Sequence, residues 1–108
     1  LRITGVSSPK HETLSYLDLN INLKTRTAEL AGKMLKLTSK EFDLLAALVA
    51  NRGNIISSVM LLESVWGYNT EDYSNVHTVE VHVSNLRKKL GSFAKKIIAV
   101  PGHGYKID

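Results

Sequence analysis

The chain contains no cysteine, which excludes disulfide staples and thiolate metal sites and is compatible with a reducing, intracellular setting, so a cytoplasmic location is expected. No apolar run approaches the roughly 20 residues of a membrane span, and the opening residues lack the pattern of a signal peptide. There is no glycine-rich phosphate-binding loop, because Gly102-His103-Gly104 is too short and follows a strand that leads into a hairpin. Nor do the histidines form a metal pair: His77 and His82 are five apart, whereas two ligands on one helical face need a spacing of about four. No carboxylate cluster completes a metal site. These absences argue against an enzyme and against any bound cofactor or metal ion.

Acidic charge is the other shortage, and it is local. Residues 1–73 carry 8 Lys and Arg against 8 Asp and Glu, whereas residues 74–108 carry 6 against 2, so the whole net charge of +4 falls on the last third. A basic surface of that kind attracts phosphate, and a solvated basic face is the competing reading until a fold is attached. What remains is ordinary for a globular protein: 108 residues, 44% hydrophobic and 22% charged, enough for one domain with its own core.

The first segment, LRITGVSSPKHE, has no periodicity, and residues 1–13 read as a linker or a disordered start, the expected cut end of a larger protein. From Leu14 an alternation of period two sets Leu17, Leu19, Ile21 and Leu23 against Asp18, Asn20, Asn22 and Lys24, which predicts a strand with one wet face. The stretch TAELAGKMLKL repeats the theme with a tight turn at Ala31-Gly32, giving a small N-terminal antiparallel sheet. Thr38 and Glu41 then form a capping box, with Leu37 and Phe42 at staple spacing. The helix that follows should run from Ser39 to about Arg52 with Phe42, Leu45, Leu48 and Val49 on its core face and Gly53 as its cap. Ser57 caps a shorter helix carrying Leu61, Leu62 and Val65, and a third helix from position 76 completes a three-helix core. The loop between the last two helices is longer and more polar than a helix-turn-helix needs, and is either a contact surface or a solvated connector.

The third helix carries the function. Placed at about 100° per residue, Val76, Val79, Val83, Leu86 and Leu90 share an arc of about 80°, the stripe that must dock on the other helices. His77, Val81, Ser84, Asn85 and Lys88 project from the far side, with Glu80 and Arg87 along one flank and Thr78, His82 and Lys89 along the other. A face mixing amides, cations, a carboxylate and one small apolar group suits the major groove of DNA, where Val81 can touch a thymine methyl and a carboxylate can accept from cytosine. A lone exposed valine needs no explanation by itself, but this one shares its face with the basic tail RKKLG. Beyond it, turn chemistry at Pro101 to Gly104 predicts that Ile97 to Val100 pairs with Tyr105 to Ile107 as a hairpin wing, with His103, Tyr105 and Lys106 near the backbone of a bound duplex.

LTSKEFDLLAALVANRGNIIS, LLESVWGY, TVEVHVSNLRKKLG and VPGHGYKID, in that order and spacing, resemble the C-terminal winged-helix effector domain of OmpR/PhoB-type response regulators. The resemblance implies an α+β, winged helix-turn-helix domain over residues 14–108, and a transcription regulator of a two-component phosphorelay. An N-terminal receiver domain, phosphorylated by a sensor histidine kinase, would control it. It implies base or groove-rim contacts for Val81 and Arg87 with Glu80 beside them, and phosphate-backbone contacts for Trp66, His82, Tyr105 and Lys106. Ser84 and Asn85 join the expected base-reading set, and His77, Thr78, Lys88 and His103 the backbone set. The loop from Gly67 to Ser74, with Tyr68, Asn69, Glu71, Asp72 and Tyr73, is similar to a segment that touches RNA polymerase, and the family binds direct repeats as pairs.

Departures from the family pattern bear on specificity. Ser84 and Asn85 stand where arginines are frequent, and Pro101 where an arginine often precedes the wing-tip glycine, so phosphate attraction is weaker and His103 substitutes in part. Asn85 is expected to read adenine. Val59 and Met60 replace charge, marking either a partner contact or scattered surface hydrophobes. The alternative function is a winged-helix protein-interaction module without DNA contact; a nonspecific nucleoid-type binder fits the charge but not Glu80, Val81 and Asn85.

Overall fold

A computed structural model describes residues 13–67 and 76–108. The expected α+β order is present: a four-stranded antiparallel sheet, three helices and a C-terminal hairpin. The sheet comprises β1 (Thr13–Tyr16), β2 (Leu19–Asn22), β3 (Thr27–Leu30) and β4 (Lys33–Met34), paired in sequence order.

The long alternation from Leu14 is not one strand. Tyr16 pairs with Leu19 across a two-residue turn, and Leu17 sits in that turn with a left-handed φ of 55° and 64% of its surface exposed. The reversal shifts the parity of the inward face: Leu14 and Tyr16 of β1 pair with Ile21 and Leu19 of β2 and pack on the same core, while Leu17, which the alternation groups with Leu19 and Ile21, is spent on the corner. The Ala31-Gly32 turn is as expected, both residues having positive φ (52° and 83°), the requirement of a type I′ hairpin.

Helix α1 (Ser39–Ala50) starts at a complete capping box, in which the Glu41 amide donates to Thr38 Oγ1 and the Thr38 amide donates to Glu41 Oε1. It ends about two residues earlier than the periodicity suggests, with Asn51 as the cap residue. Gly53 uses its left-handed φ of 89° to turn the chain toward the hairpin, where its amide donates to the Ile107 carbonyl. Leu44 is buried along with Phe42, Leu45, Leu48 and Val49, because α1 lies between the sheet and the remaining helices and so buries more than one stripe.

Ser57 caps α2 (Ser58–Leu61), its Oγ accepting from the Met60 amide; the helix continues as a π turn through Leu62–Trp66. Helix α3 (Val76–Leu90) is followed by a 3₁₀ segment, Gly91–Lys96, which buries Phe93 and has no counterpart in the sequence reading. The hairpin joins β5 (Ile97–Val100) to β6 (Gly104–Ile107). Ile56 bridges to the hairpin: its amide donates to the Tyr105 carbonyl and its carbonyl accepts from the Tyr105 amide, at 2.8 and 2.9 Å. One continuous core links Leu19 and Ile21 of the sheet, Leu44, Leu45 and Leu48 of α1, and Ile97 and Ile107 of the wing. Each buried leucine or isoleucine of this kind contributes about 1.5–3 kcal/mol.

Candidate nucleic-acid interface

Helix α3 is amphipathic in the sense expected. Val79, Val83, Leu86 and Leu90 retain at most 3% of their surface and anchor the helix against α1 and α2. On the reverse face Val81 is 43% exposed, and His77, Ser84, Asn85 and Lys88 are exposed. The reverse face is therefore open to a ligand. The side chain of Val76 and the loop residues Tyr68, Asn69, Glu71, Asp72 and Tyr73 lie outside the described residues.

The wing stands along one flank. Glu80, Ser84, Arg87 and Tyr105 line a groove between α3 and β6, and Glu80 also borders a second groove reaching past Ser57 and Val59 to Pro101 and His103 at the wing tip. The structure thus gathers the predicted Glu80, Arg87, Tyr105 and His103 along this flank, with Lys106 half-buried on the adjoining strand. His77 Nδ1 lies 2.8 Å from Glu80 Oε1, in a pair whose side chains are 81% and 58% exposed, so water screens it and both groups stay available. Burial raises the Tyr105 pKa; the Glu80 charge adds to the rise and the Arg87 charge opposes it. The phenol therefore remains a neutral donor at physiological pH.

On the other flank Trp66 meets His82 edge to face, with ring centroids 5.0 Å apart. His82 Nδ1 is 2.8 Å from the Thr78 carbonyl; a carbonyl only accepts, so Nδ1 bears the proton and Nε2 is the nitrogen left for a further partner. Lys40 Nζ donates to the Val65 carbonyl at 2.9 Å and stands 5.5 Å from the Trp66 ring centroid. These contacts fix the indole beside the groove-facing helix.

Sequence reasoning missed one feature of this flank. Lys89 Nζ donates to Glu41 Oε1 at 2.6 Å, the Glu41 side chain being 4% exposed and that of Lys89 38%. Burial alone would raise the Glu41 pKa, but the hydrogen bonds from Lys89 and Thr38 and the ammonium charge outweigh it and hold the carboxyl below its ordinary value of 4.5. A signal was there. Glu41, Leu44, Leu45 and Leu48 have the spacing of one helical stripe, and a carboxylate on a core stripe requires a cation.

Among the described residues no three His, Cys, Asp or Glu side chains converge as a metal site, and no helix is long and apolar enough to cross a membrane.

Residues 32–107 match the family described as "Transcriptional regulatory protein, C terminal". The chain is 49% identical over 109 residues to the uncharacterized transcriptional regulatory protein YclJ of Bacillus subtilis, covering 99% of this chain and 47% of that protein. It is 36% identical over 110 residues to the regulatory protein VanR of Enterococcus faecium, with the same coverage of 99% and 47%. The chain thus spans about half the length of the curated relatives it matches. Among solved structures it resembles the DNA-binding domain of CpxR from Escherichia coli, with a TM-score of 0.75 and 29% identity over 88% of this chain and 94% of that one. It also resembles the RstA DNA-binding domain of Klebsiella pneumoniae in complex with the RstA box, with a TM-score of 0.76 and 32% identity over 90% of this chain and 97% of that one.

Proposed function

We propose, because this chain belongs to the family of C-terminal domains of transcriptional regulatory proteins, that it is the sequence-specific, double-stranded DNA-binding effector of a two-component response regulator. The observation that carries the reading is the reverse face of α3, polar, cationic and exposed while its aliphatic stripe is buried. A helix so mounted enters a major groove, with its cations and amides toward base edges and phosphates.

In this reading Asn85 bonds the N6 and N7 edge of adenine, Val81 meets a thymine methyl, Glu80 accepts from cytosine, and Ser84 and Arg87 complete the base-facing set. His77, Thr78 and Lys88 hold the backbone on the helix side, His82 does so through Nε2, and Trp66 through its indole N–H. His103, Tyr105 and Lys106 hold it from the wing, at the backbone or in a minor groove. The domain is a reader without catalytic chemistry and works in the cytoplasm on direct-repeat sites. Its N-terminal receiver is addressed by a sensor histidine kinase, and the loop over 67–74 faces RNA polymerase.

Selection of sites from random duplex DNA, followed by titration of the selected duplex at two salt concentrations, tests this. A defined motif and an affinity that falls steeply with salt are expected, since each neutralised phosphate adds about 0.9 to the slope of log K against log salt. A protein-interaction module would yield neither motif nor slope. A nucleoid-type binder would give the slope but lose equally to random competitor. Either result overturns the proposal.

A further inference from the structure

The basic tail of α3 presents three cations, Arg87, Lys88 and Lys89, yet they are not equivalent. Both lysines are exposed, but the Lys89 ammonium reaches the first turn of α1, where Glu41 Oε1 accepts both the Lys89 ammonium at 2.6 Å and the Thr38 amide at 2.9 Å. That turn of α1 is itself fixed from the opposite side. Arg26 Nη2 lies 2.9 Å from Asp43 Oδ1 and donates to Ser39 Oγ at 3.0 Å, while its guanidinium carbon stands 4.8 Å from the Phe42 ring centroid. Two separate sets of polar contacts therefore hold the start of α1, one to the corner between β2 and β3 and the other to the last turn of α3.

We infer that Glu41 is a positioning residue for DNA recognition: it withholds Lys89 from phosphate and uses that cation to fix the pose of α3 in the groove. Lys89 lies on the Thr78 and His82 flank of the helix, the flank to which the proposed function gives phosphate-backbone contacts. A 2.6 Å charge-assisted bond to a carboxylate already shielded from water by its surroundings competes well with a solvated phosphate. The cation thereby contributes geometry in place of nonspecific attraction, which raises discrimination at the expense of bulk affinity.

This inference rests on the DNA-binding reading, and the test separates the two. Salt titrations of the chain and of its Lys89→Gln and Glu41→Gln variants use one duplex selected from random sequence and one unselected duplex, with unfolding curves in parallel. Gln at position 41 still accepts the Thr38 amide and keeps the capping box, so the substitution removes only the charge. Lys89→Gln is expected to leave the salt slope of both duplexes unchanged and to reduce discrimination about tenfold, the equivalent of one poorly made base contact. Glu41→Gln is expected to reduce discrimination similarly while steepening the slope by up to about 0.9, or about 3.5-fold in affinity across a fourfold change of salt. A Lys89→Gln slope shallower by about 0.9, or a Glu41→Gln variant with unaltered slope and discrimination, overturns the inference whatever happens to stability. A wild-type chain without salt dependence removes the DNA-binding reading itself.

Discussion

Alanine at Gly104 and alanine at Gly102 should have very different effects, though the two positions are neighbours in the same wing. Both glycines have positive φ, 78° at Gly102 and 140° at Gly104. A Cβ on Gly102 meets nothing within 4 Å, whereas one on Gly104 lands 2.1 Å from the Ile56 carbonyl oxygen and 2.7 Å from Ser57 Cα. Ordinary carbon contacts begin near 3.5 Å, so the backbone at Ile56 must retreat by more than about 1 Å. The obstacle is backbone, so no side-chain rotation relieves it. The retreat breaks the two hydrogen bonds between Ile56 and Tyr105, at about 1 kcal/mol each. Backbone strain for a side chain at this φ adds about 1–3 kcal/mol, for a total of about 3–5 kcal/mol. At about 4–8 °C per kcal/mol for a domain of this size, Tm should fall by about 15 °C or more. Gly102→Ala carries only the left-handed penalty of about 1–2 kcal/mol. Thermal unfolding measures the difference, and amide exchange locates it: Tyr105 and Ile56 should lose protection in Gly104→Ala and keep it in Gly102→Ala. Equal Tm shifts for the two variants, or full protection of the Tyr105 amide in Gly104→Ala, would refute the claim that this close approach seats the wing.

Three further outcomes are expected. The folded-state pKa of Glu41 is depressed, so its contribution to stability is complete above the ordinary value of 4.5 and is lost as pH falls through the lower folded value. Unfolding temperatures should accordingly decline more steeply below about pH 4.5 in the wild type than in Glu41→Gln, and parallel declines would contradict the ion pair. Asn85→Ala should cost about 1–3 kcal/mol of discrimination at one base position, seen as a relaxed preference in site selection; a uniform loss over all sequences would exclude a base contact. Lys88→Gln should lower affinity similarly for selected and unselected duplexes and make the salt slope shallower by about 0.9, and an unchanged slope would remove Lys88 from the phosphate set.

Local chemistry was legible wherever a feature is completed within a few residues. The Thr38 and Glu41 capping box, the Ala31-Gly32 turn, the Ser57 cap and the wing-tip turn each depend on neighbours in the chain, and all are present. So is the two-faced character of α3, because a helical period assigns Val79, Val83, Leu86 and Leu90 to one side and Val81 to the other whatever the partner is. The reversal at Leu17 escaped because an apolar residue on the corner continues the alternation of Leu19 and Ile21 in the sequence, although the pairing puts Leu14 and Tyr16, of the other parity, on the core side.

By itself the sequence determined the order of sheet, three helices and wing, the two faces of α3, and the cationic excess of the last third, since these follow from periodicity, capping and composition. Only the tertiary structure decided which cations are available and what seats the wing. Lys89 is 48 residues from Glu41, and Gly104 is about as far from Ile56. Contacts between segments so distant in the chain are set by how the packed sheet and helices meet, which no local rule of spacing encodes.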